Sequence, residues 1–344
     1  MIRVVTANDK NSWNAFVDTH PQGTFCHLFE WQTVLRESSG HKPYYLMALD
    51  GSNNVQGVLP LALTQSIIFG KVLCSTPYCM YGGAIAINAD IRKRLEQEAC
   101  ELAHKLNVDY LELRYEQQIS DIDSSKFAEK SVHSVFKMPL ADNADDILLS
   151  IKKKQRAVVR HSLKNELTTE INQDIDTLYH IYSTSVRNLG TPVFPKALFK
   201  KLVEVFPNHI DITSVAHEGK TLSSVMSFYY KGIVMPYYGG GLFEARFTKS
   251  NDHMYYKLMC HAQEKGCNEF DFGRSKNDSG AFKYKQTWGI EPKPIYHYYH
   301  LVKASSLPNL NPNNPKYEKV INIWKKLPLK VSQIVGPFVS KYLG

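Results

Sequence analysis

The chain has 344 residues, 43% of them hydrophobic, and its 41 Lys and Arg against 33 Asp and Glu leave a net charge of +8. The length predicts two domains, and the charge favours an anionic partner, whether nucleic acid, a phosphorylated cofactor or an acidic membrane surface. No apolar run is long enough for a membrane span, no signal peptide is visible, and the six cysteines lack CxxC pairs and zinc spacing, so the expectation is a cytoplasmic protein with free thiols and no metal site.

Taken in chain order, HKPYYLMALDGSNNVQGVLPLAL (41–63) reads as strand, turn and strand, with Gly51 in the turn. TPYCMYGGAI (76–85) follows, then a charged periodic helix, IRKRLEQEACELAHKLNV (91–108), and a strand, YLELRY (110–115). DDILLSIKKKQRAVVRHSLKNEL (145–167) has no Gly or Pro and reads as one helix. Lys152, Arg156, Arg160 and Lys164 recur every four residues, which lays four cations along one stripe. Leu148, Ile151, Val158 and Leu163 would face the protein, and Asp145 and Asp146 suit the positive N-terminal end. Such a stripe is either a solvated face or a track for phosphates.

GTPVFP (190–195) is a proline-fixed loop that Phe194 and Phe199 would anchor, walling an acceptor pocket or merely joining helices. DITSVAHEGKTLSSVMSFYY (211–230) is again strand, turn and strand. In VMPYYGGGL (234–242), Tyr237, Tyr238 and Gly239–Gly241 suggest a β-bulge, with the tyrosines facing a ligand or the core. A helix, DHMYYKLMCHAQEKGC (252–267), leads into EFDFGR (269–274). Glu112 aligns with Asp271 and Gly83 with Gly240 at nearly the same offset, so the two halves read as a duplication. Each copy is hairpin, helix and strand: an α+β or mixed α/β unit with a mainly antiparallel sheet. The expected boundaries are 1–140, 141–303, and a Pro- and Asn-rich linker with an amphipathic tail over 304–344. The tail mixes Trp324, Ile334, Val335 and Phe338 with lysines, which suits either an anionic membrane surface or packing on the body.

The densest chemistry is FDFGRSKNDSGAFKYKQTWG (270–289), where a short strand opens into a turn and then interleaves aromatics with lysines. These residues, with KKKQRAVVRHS, RNLGTPVFPKALF and VMPYYGGG, resemble the FemAB family, and more closely its members from exopolysaccharide and exosortase/PEP-CTERM loci. The resemblance covers the chain to about residue 300. It implies two tandem GNAT-like (acyl-CoA N-acyltransferase-like) domains. It also implies transfer of an aminoacyl or acyl group to an amine acceptor in envelope or exopolysaccharide assembly, with aminoacyl-tRNA or acyl-CoA as donor and no permanently bound cofactor. Gly280–Gly289 follows the family's Gly-Leu-Tyr-x-Phe-Lys-x-x-Phe-Gly motif, with Lys285 on the functional lysine, Tyr284 on the neighbouring aromatic, and Trp288 where Phe is usual.

Transfer to an amine needs a neutral amine, a held carbonyl and a stabilised oxyanion. Lys285 and Arg274 suit the third requirement or a grip on donor phosphates. Asp271 and His253 are the candidate bases, each with a structural alternative as an ion-pair partner or a helix cap. Lys152, Arg156, Arg160, Lys164 and Lys283 are the candidate donor grip, and Tyr237, Tyr238, Phe194, Tyr284 and Trp288 the candidate acceptor pocket. An acyl-CoA-dependent N-acetyltransferase of an amino sugar is the first rival, although no clean Arg/Gln-x-x-Gly-x-Gly/Ala loop is present. A non-catalytic scaffold is the second, and the chain is expected to be a monomer or dimer.

Overall fold

The computed structural model describes residues 2–66, 70–308 and 315–342. These divide into two compact units, each with its own hydrophobic core. The first comprises the described residues of Met1–His133 and Pro294–Leu310, with Tyr342; the second comprises Ser134–Lys293 and those of Asn311–Lys341. The division therefore falls a few residues before the expected boundary at 140. The strand after 293 returns to the first unit, and the tail joins the second rather than standing apart.

The first unit runs β1 (Arg3–Thr6), α1 (Lys10–Thr19), α2 (Trp31–Ser39), β2 (Lys42–Leu49), β3 (Val55–Ser66), β4 (Gly70–Ser75), β5 (Ile85–Ala86), α3 (Ala89–Lys105) and β6 (Tyr110–Tyr115). The second runs β7 (Ala128–Pro139), within which it begins, α4 (Ala144–Ser150), α5 (Lys153–Ser162), β8 (Leu167–Asn172), α6 (Ile175–Leu189), α7 (Lys196–Val205), β9 (Ile210–His217), β10 (Lys220–Tyr230), β11 (Ile233–Gly241), α8 (Ala245–Thr248), α9 (Ser250–Glu264), β12 (Glu269–Lys276) and α10 (Gly280–Thr287). β13 (Pro292–Leu301) supplies the last strand of the first unit, and α11 (Pro315–Lys326) and α12 (Leu329–Ser340) close the second.

The strand orders are β1-β2-β3-β4-β6-β13 in the first unit and β7-β12-β11-β10-β9-β8 in the second. β2, β3 and β4 pair antiparallel and β4 pairs parallel to β6 across α3. In the second unit β9, β10 and β11 pair antiparallel and β11 pairs parallel to β12 across α9. The expected duplication is thus present as one repeated topology. Parallel neighbours need a crossover helix, and the charged periodic segments 91–108 and 252–267 supply it. The copies diverge after the hairpin. The first leaves the sheet at Thr76 for a buried loop with Tyr78 and Gly82 at positive φ, whereas the second continues its strand to Gly241.

Gly240 and Gly241 show why that strand is glycine-rich. A Cβ on Gly240 would meet Ser185 of α6 at 2.4 Å, and one on Gly241 would meet Asn251 of α9 at 2.5 Å. Successive strand residues face opposite sides, so α6 and α9 press on the two faces of β11 at adjacent positions. The expected bulge is there as well, with Tyr237 the extra residue between the pairs Met226↔Tyr238 and Ser227↔Pro236.

The segment 145–167 is two helices, not one. The backbone breaks at Ile151 and Lys152, and Lys152 becomes the N-terminal cap of α5. Burying Ile151 holds the break, and the Lys152 N–H donates to the Trp288 carbonyl at 3.2 Å. On α5 the inward residues are Gln155, Val159 and Ser162; Leu163, expected inside, is exposed. The described part of the expected tail is the helix pair α11 and α12 packed on α6, while much of the proline- and asparagine-rich linker lies outside the described residues. Among the described residues no helix is long and apolar enough to cross a membrane, and none of the six cysteines forms a disulfide.

Candidate functional site

The site grows from the end of β12. β11 and β12 are in register only over Ile233–Val234 against Glu269–Phe270; beyond that they run on separately to Gly241 and Lys276. Gly273 sits at the parting end of β12 with φ +74, a conformation that side-chain-bearing residues rarely adopt. The chain turns through Asp278, also left-handed, and Ser279 caps α10 by accepting the Phe282 N–H. The stretch of interleaved aromatics and lysines after this turn is an eight-residue helix.

α10 is placed by its neighbours. Phe282 packs edge-on against Phe136, and Trp288, 1% exposed, packs against Phe272 and Tyr255. Lys285 is thereby turned back toward β12. Its Nζ donates to the carbonyls of Gly273 at 2.9 Å and Arg274 at 3.1 Å, and lies 5.7 Å from the centre of the Phe136 ring. Burial pushes its pKa down to about 8; the nearby Asp271 carboxylate opposes that shift and the Arg274 charge adds to it. The outcome is a half-buried cation whose proton is held loosely.

Asp271 is buried and fixed. Its carboxylate accepts the Gly273 N–H at 2.8 Å and lies 3.8 Å from the Lys137 ammonium. It orders the turn under Lys285. Arg274 is half-buried and lends the turn its carbonyl and its charge. His253 is apart from this group: it is buried, its Nε2 lies 3.1 Å from Thr169 Oγ1 of β8, and burial pushes its pKa down to about 4. The residue beside it, Asp252, is the one the sequence reading passed over. Its Oδ1 accepts the Tyr284 hydroxyl at 2.9 Å and the Gln155 amide at 2.6 Å, while Gln155 Oε1 accepts the Thr287 hydroxyl at 3.1 Å. Burial raises the Asp252 pKa, against the hydrogen bonds that lower it. This network ties α5, α9 and α10 together. Its sequence signal was an acidic residue in the first turn of a helix, a common feature with many uses.

The cations of α5 are held by that tie next to α10. Lys153, Arg156, Arg160, His161 and Lys164 line an open groove along the helix. Arg156 folds its guanidinium back onto the Ile151 carbonyl, and Arg160 and Lys164 are exposed. Lys152 leaves the stripe because it caps the helix, and Lys153 takes its place. Lys283 is exposed on α10.

The five candidate pocket residues do not form one pocket. Tyr237, Tyr238 and Phe194 belong to an aromatic cluster with Phe199, Tyr182 and Phe228 between β11, α6 and α7. Tyr284 and Trp288 belong to the cluster behind α10. Tyr238 and Trp288 are core rings with no free face, while Phe194, Tyr237 and Tyr284 are half-buried. The loop 190–195 joins α6 to α7, with Gly190 at φ +83 ending α6 and Pro195 opening α7.

In the first unit the corresponding strand end is closed. Glu112, aligned with Asp271, is buried with Arg114 at 2.9 Å and His297 at 2.9 Å, and the Arg114 guanidinium also reaches the Cys79 carbonyl. Burial works to raise the Glu112 pKa, but Arg114 and His297 hold it well below the carboxylate range. This cluster is internal structure.

The architecture is that of a tandem GNAT-like fold, and the proteins it is similar to support a transferase activity. The Acetyltransferase (GNAT) domain family matches residues 150–286, the segment from α5 to α10. The chain is 21% identical to the lipid II:glycine glycyltransferase of Staphylococcus aureus over 80% of its own length and 87% of that protein's. Its fold is similar to the crystal structure of FemX, with a TM-score of 0.70, 16% identity, and 88% of this chain and 98% of that one covered. It is also similar to a tandem GNAT protein from the clavulanic acid biosynthesis pathway, with a TM-score of 0.54, 13% identity, and 89% and 100% covered.

Proposed function

We propose that the protein transfers an aminoacyl group from charged tRNA to an amine of a cell-envelope or exopolysaccharide precursor, at the cytoplasmic side of the membrane. The observation that carries this reading is Lys285: a cation held by two carbonyls at the parting of β11 and β12, beside a groove of four basic side chains. The similarity to a lipid II:glycine glycyltransferase supports the choice of an aminoacyl donor and an envelope acceptor, and the sequence's resemblance to exosortase-associated members supports exopolysaccharide assembly.

In the proposed reaction the neutral acceptor amine attacks the carbonyl carbon of the aminoacyl ester. The oxygen takes up charge in the tetrahedral intermediate, and the Lys285 ammonium, already pointing at oxygen acceptors, stabilises it. Collapse breaks the ester C–O bond, and the proton that the attacking nitrogen gives up passes to the departing ribose oxygen, leaving the amide and a free ribose hydroxyl. Asp271 and Gly273 fix the turn beneath Lys285, and the Asp252–Gln155 network fixes the donor groove relative to it. The grip of Lys153, Arg156, Arg160 and Lys164 falls on donor phosphates.

Single-turnover transfer of a labelled amino acid from tRNA, with an amine-bearing precursor as acceptor, tests the reading. Lys285→Met is expected to lower the rate by about 10²–10³, the loss seen when one oxyanion donor is removed. Transfer from acetyl-CoA but not from charged tRNA would move the protein to acyl-CoA chemistry, and an unchanged rate in the variant would remove Lys285 from the mechanism.

A further inference from the structure

α12 is folded the wrong way round for a surface helix. Ser332, Gly336 and Ser340 point inward, with the two serines 1% exposed, whereas Ile334 is 67% and Phe338 70% exposed beside partly exposed Val331 and Val335. The inward face is specific. Gln333 donates to Ser183 Oγ of α6 at 2.8 Å, Ser340 Oγ donates to the Val193 carbonyl at 2.7 Å, and a Cβ on Gly336 would meet the Val193 backbone at 3.0 Å. A surface helix ordinarily buries its apolar stripe and shows its polar one; here hydrogen bonds and close backbone contact hold the helix with the stripe outward.

α11 continues the pattern. Ile323 is 64% exposed and Val320 is exposed, and Gly190 beneath Ile321 and Lys325 brings exposed Leu189 of α6 alongside. Around this apolar surface stand Lys319, Lys325, Lys326 and Lys330, all exposed, with Lys341 just past the end of α12. Glu318 is the one acidic residue of 315–344.

We infer that the α11–α12 pair is a lipid-docking surface, which rests apolar side chains in the interface of an anionic bilayer while its lysines meet the headgroups. Outward apolar residues with cations at their margin are the composition of helices that lie in a membrane interface, and lysines near the surface add attraction to anionic lipid. A second copy of the chain fits this surface less well. A two-fold contact places the same patch against itself, which sets lysine against lysine with one glutamate per copy to offset them. This inference goes beyond the transfer reaction, and does not depend on it.

Flotation of the full chain with vesicles of neutral phosphatidylcholine, and of the same lipid carrying about one-third phosphatidylglycerol, tests it, together with light scattering across protein concentration. The expected result is recovery with anionic vesicles only, weakened by salt, and reduced about tenfold or more in Ile334→Asp/Phe338→Asp. Both positions are exposed, so the variant's melting temperature should stay unchanged and its binding of charged tRNA intact. A second variant, Lys325→Glu/Lys326→Glu/Lys330→Glu, should lose the preference for anionic lipid. Equal recovery with both vesicles, or with none, would overturn the inference. So would a concentration-dependent dimer that Ile334→Asp/Phe338→Asp dissolves, which would assign the surface to a second copy.

Discussion

At the scale of single residues, the proposed mechanism rests on Lys285, whose environment would set the pH at which it works. Its pKa falls from 10.5 in water to about 8, so the cation is complete below about pH 7 and is lost as pH rises through about 8. The acceptor amine moves the other way, since only its neutral form attacks. The rate is therefore expected to climb with pH, turn near 8 and fall. Lys285→Arg should abolish the falling limb, because guanidinium stays charged throughout, even if the altered shape lowers the maximum. A wild-type rate that keeps rising beyond pH 9 would show that neutral Lys285 is the active form. In the first unit, Glu112→Ala leaves Arg114 charged and buried without its carboxylate; a loss of about 3–5 kcal/mol in denaturant unfolding is expected. A loss near zero would mean that water reaches the cluster. Motif resemblance singled out Lys285 as a candidate, and the fold places it half-buried against the turn that ends β12. Asp252 was not legible in the sequence, because what distinguishes it is convergence on Tyr284 and Gln155, residues 32 and 97 positions away.

At the scale of elements, the hairpins, the two crossover helices and their following strands were readable because pattern, turn residues and strand composition agreed. α10 was not, because its side chains alternate aromatic and lysine, and a helix of eight residues owes its stability to Ser279 and to packing on Phe136 and Phe272 rather than to periodicity. The break at Ile151–Lys152 escaped for a related reason. No Gly or Pro marks it, and it exists because burying Ile151 and bonding Lys152 N–H to Trp288 outweigh continuing the helix. The joint between α5 and α10 can be tested directly. Gln155→Ala removes the bridge between Asp252 and Thr287, and is expected to cost about 1–3 kcal/mol of stability and to weaken donor binding. Arg160→Ala, exposed on the same helix, should weaken donor binding with no change in melting temperature. Equal melting of both variants would mean that the bridge does not hold α5 in place.

At the scale of the whole molecule, the duplication visible in the sequence is a repeated topology whose two copies have separate fates. One closes its strand end with a buried ion cluster, and the other parts its strands and adds α10 and a basic groove. The boundaries were less legible, because a strand that begins after residue 290 returns to the first unit, and sequence order does not report such a return. The tail composition pointed to lysines and apolar residues, but not to which of them would face inward; Gln333, Gly336 and Ser340 settle that through contacts with Ser183 of α6 and with Val193. The most direct test of the central claim is a titration of the purified protein with charged tRNA and, separately, with acetyl-CoA, at 50 and 200 mM salt. If the four cations of the α5 groove meet donor phosphates, tRNA binding should weaken roughly 50–150-fold between those salt concentrations, at about 0.7–0.9 counterions per contact. Saturable acetyl-CoA binding with no tRNA binding, or a flat response to salt, would contradict it.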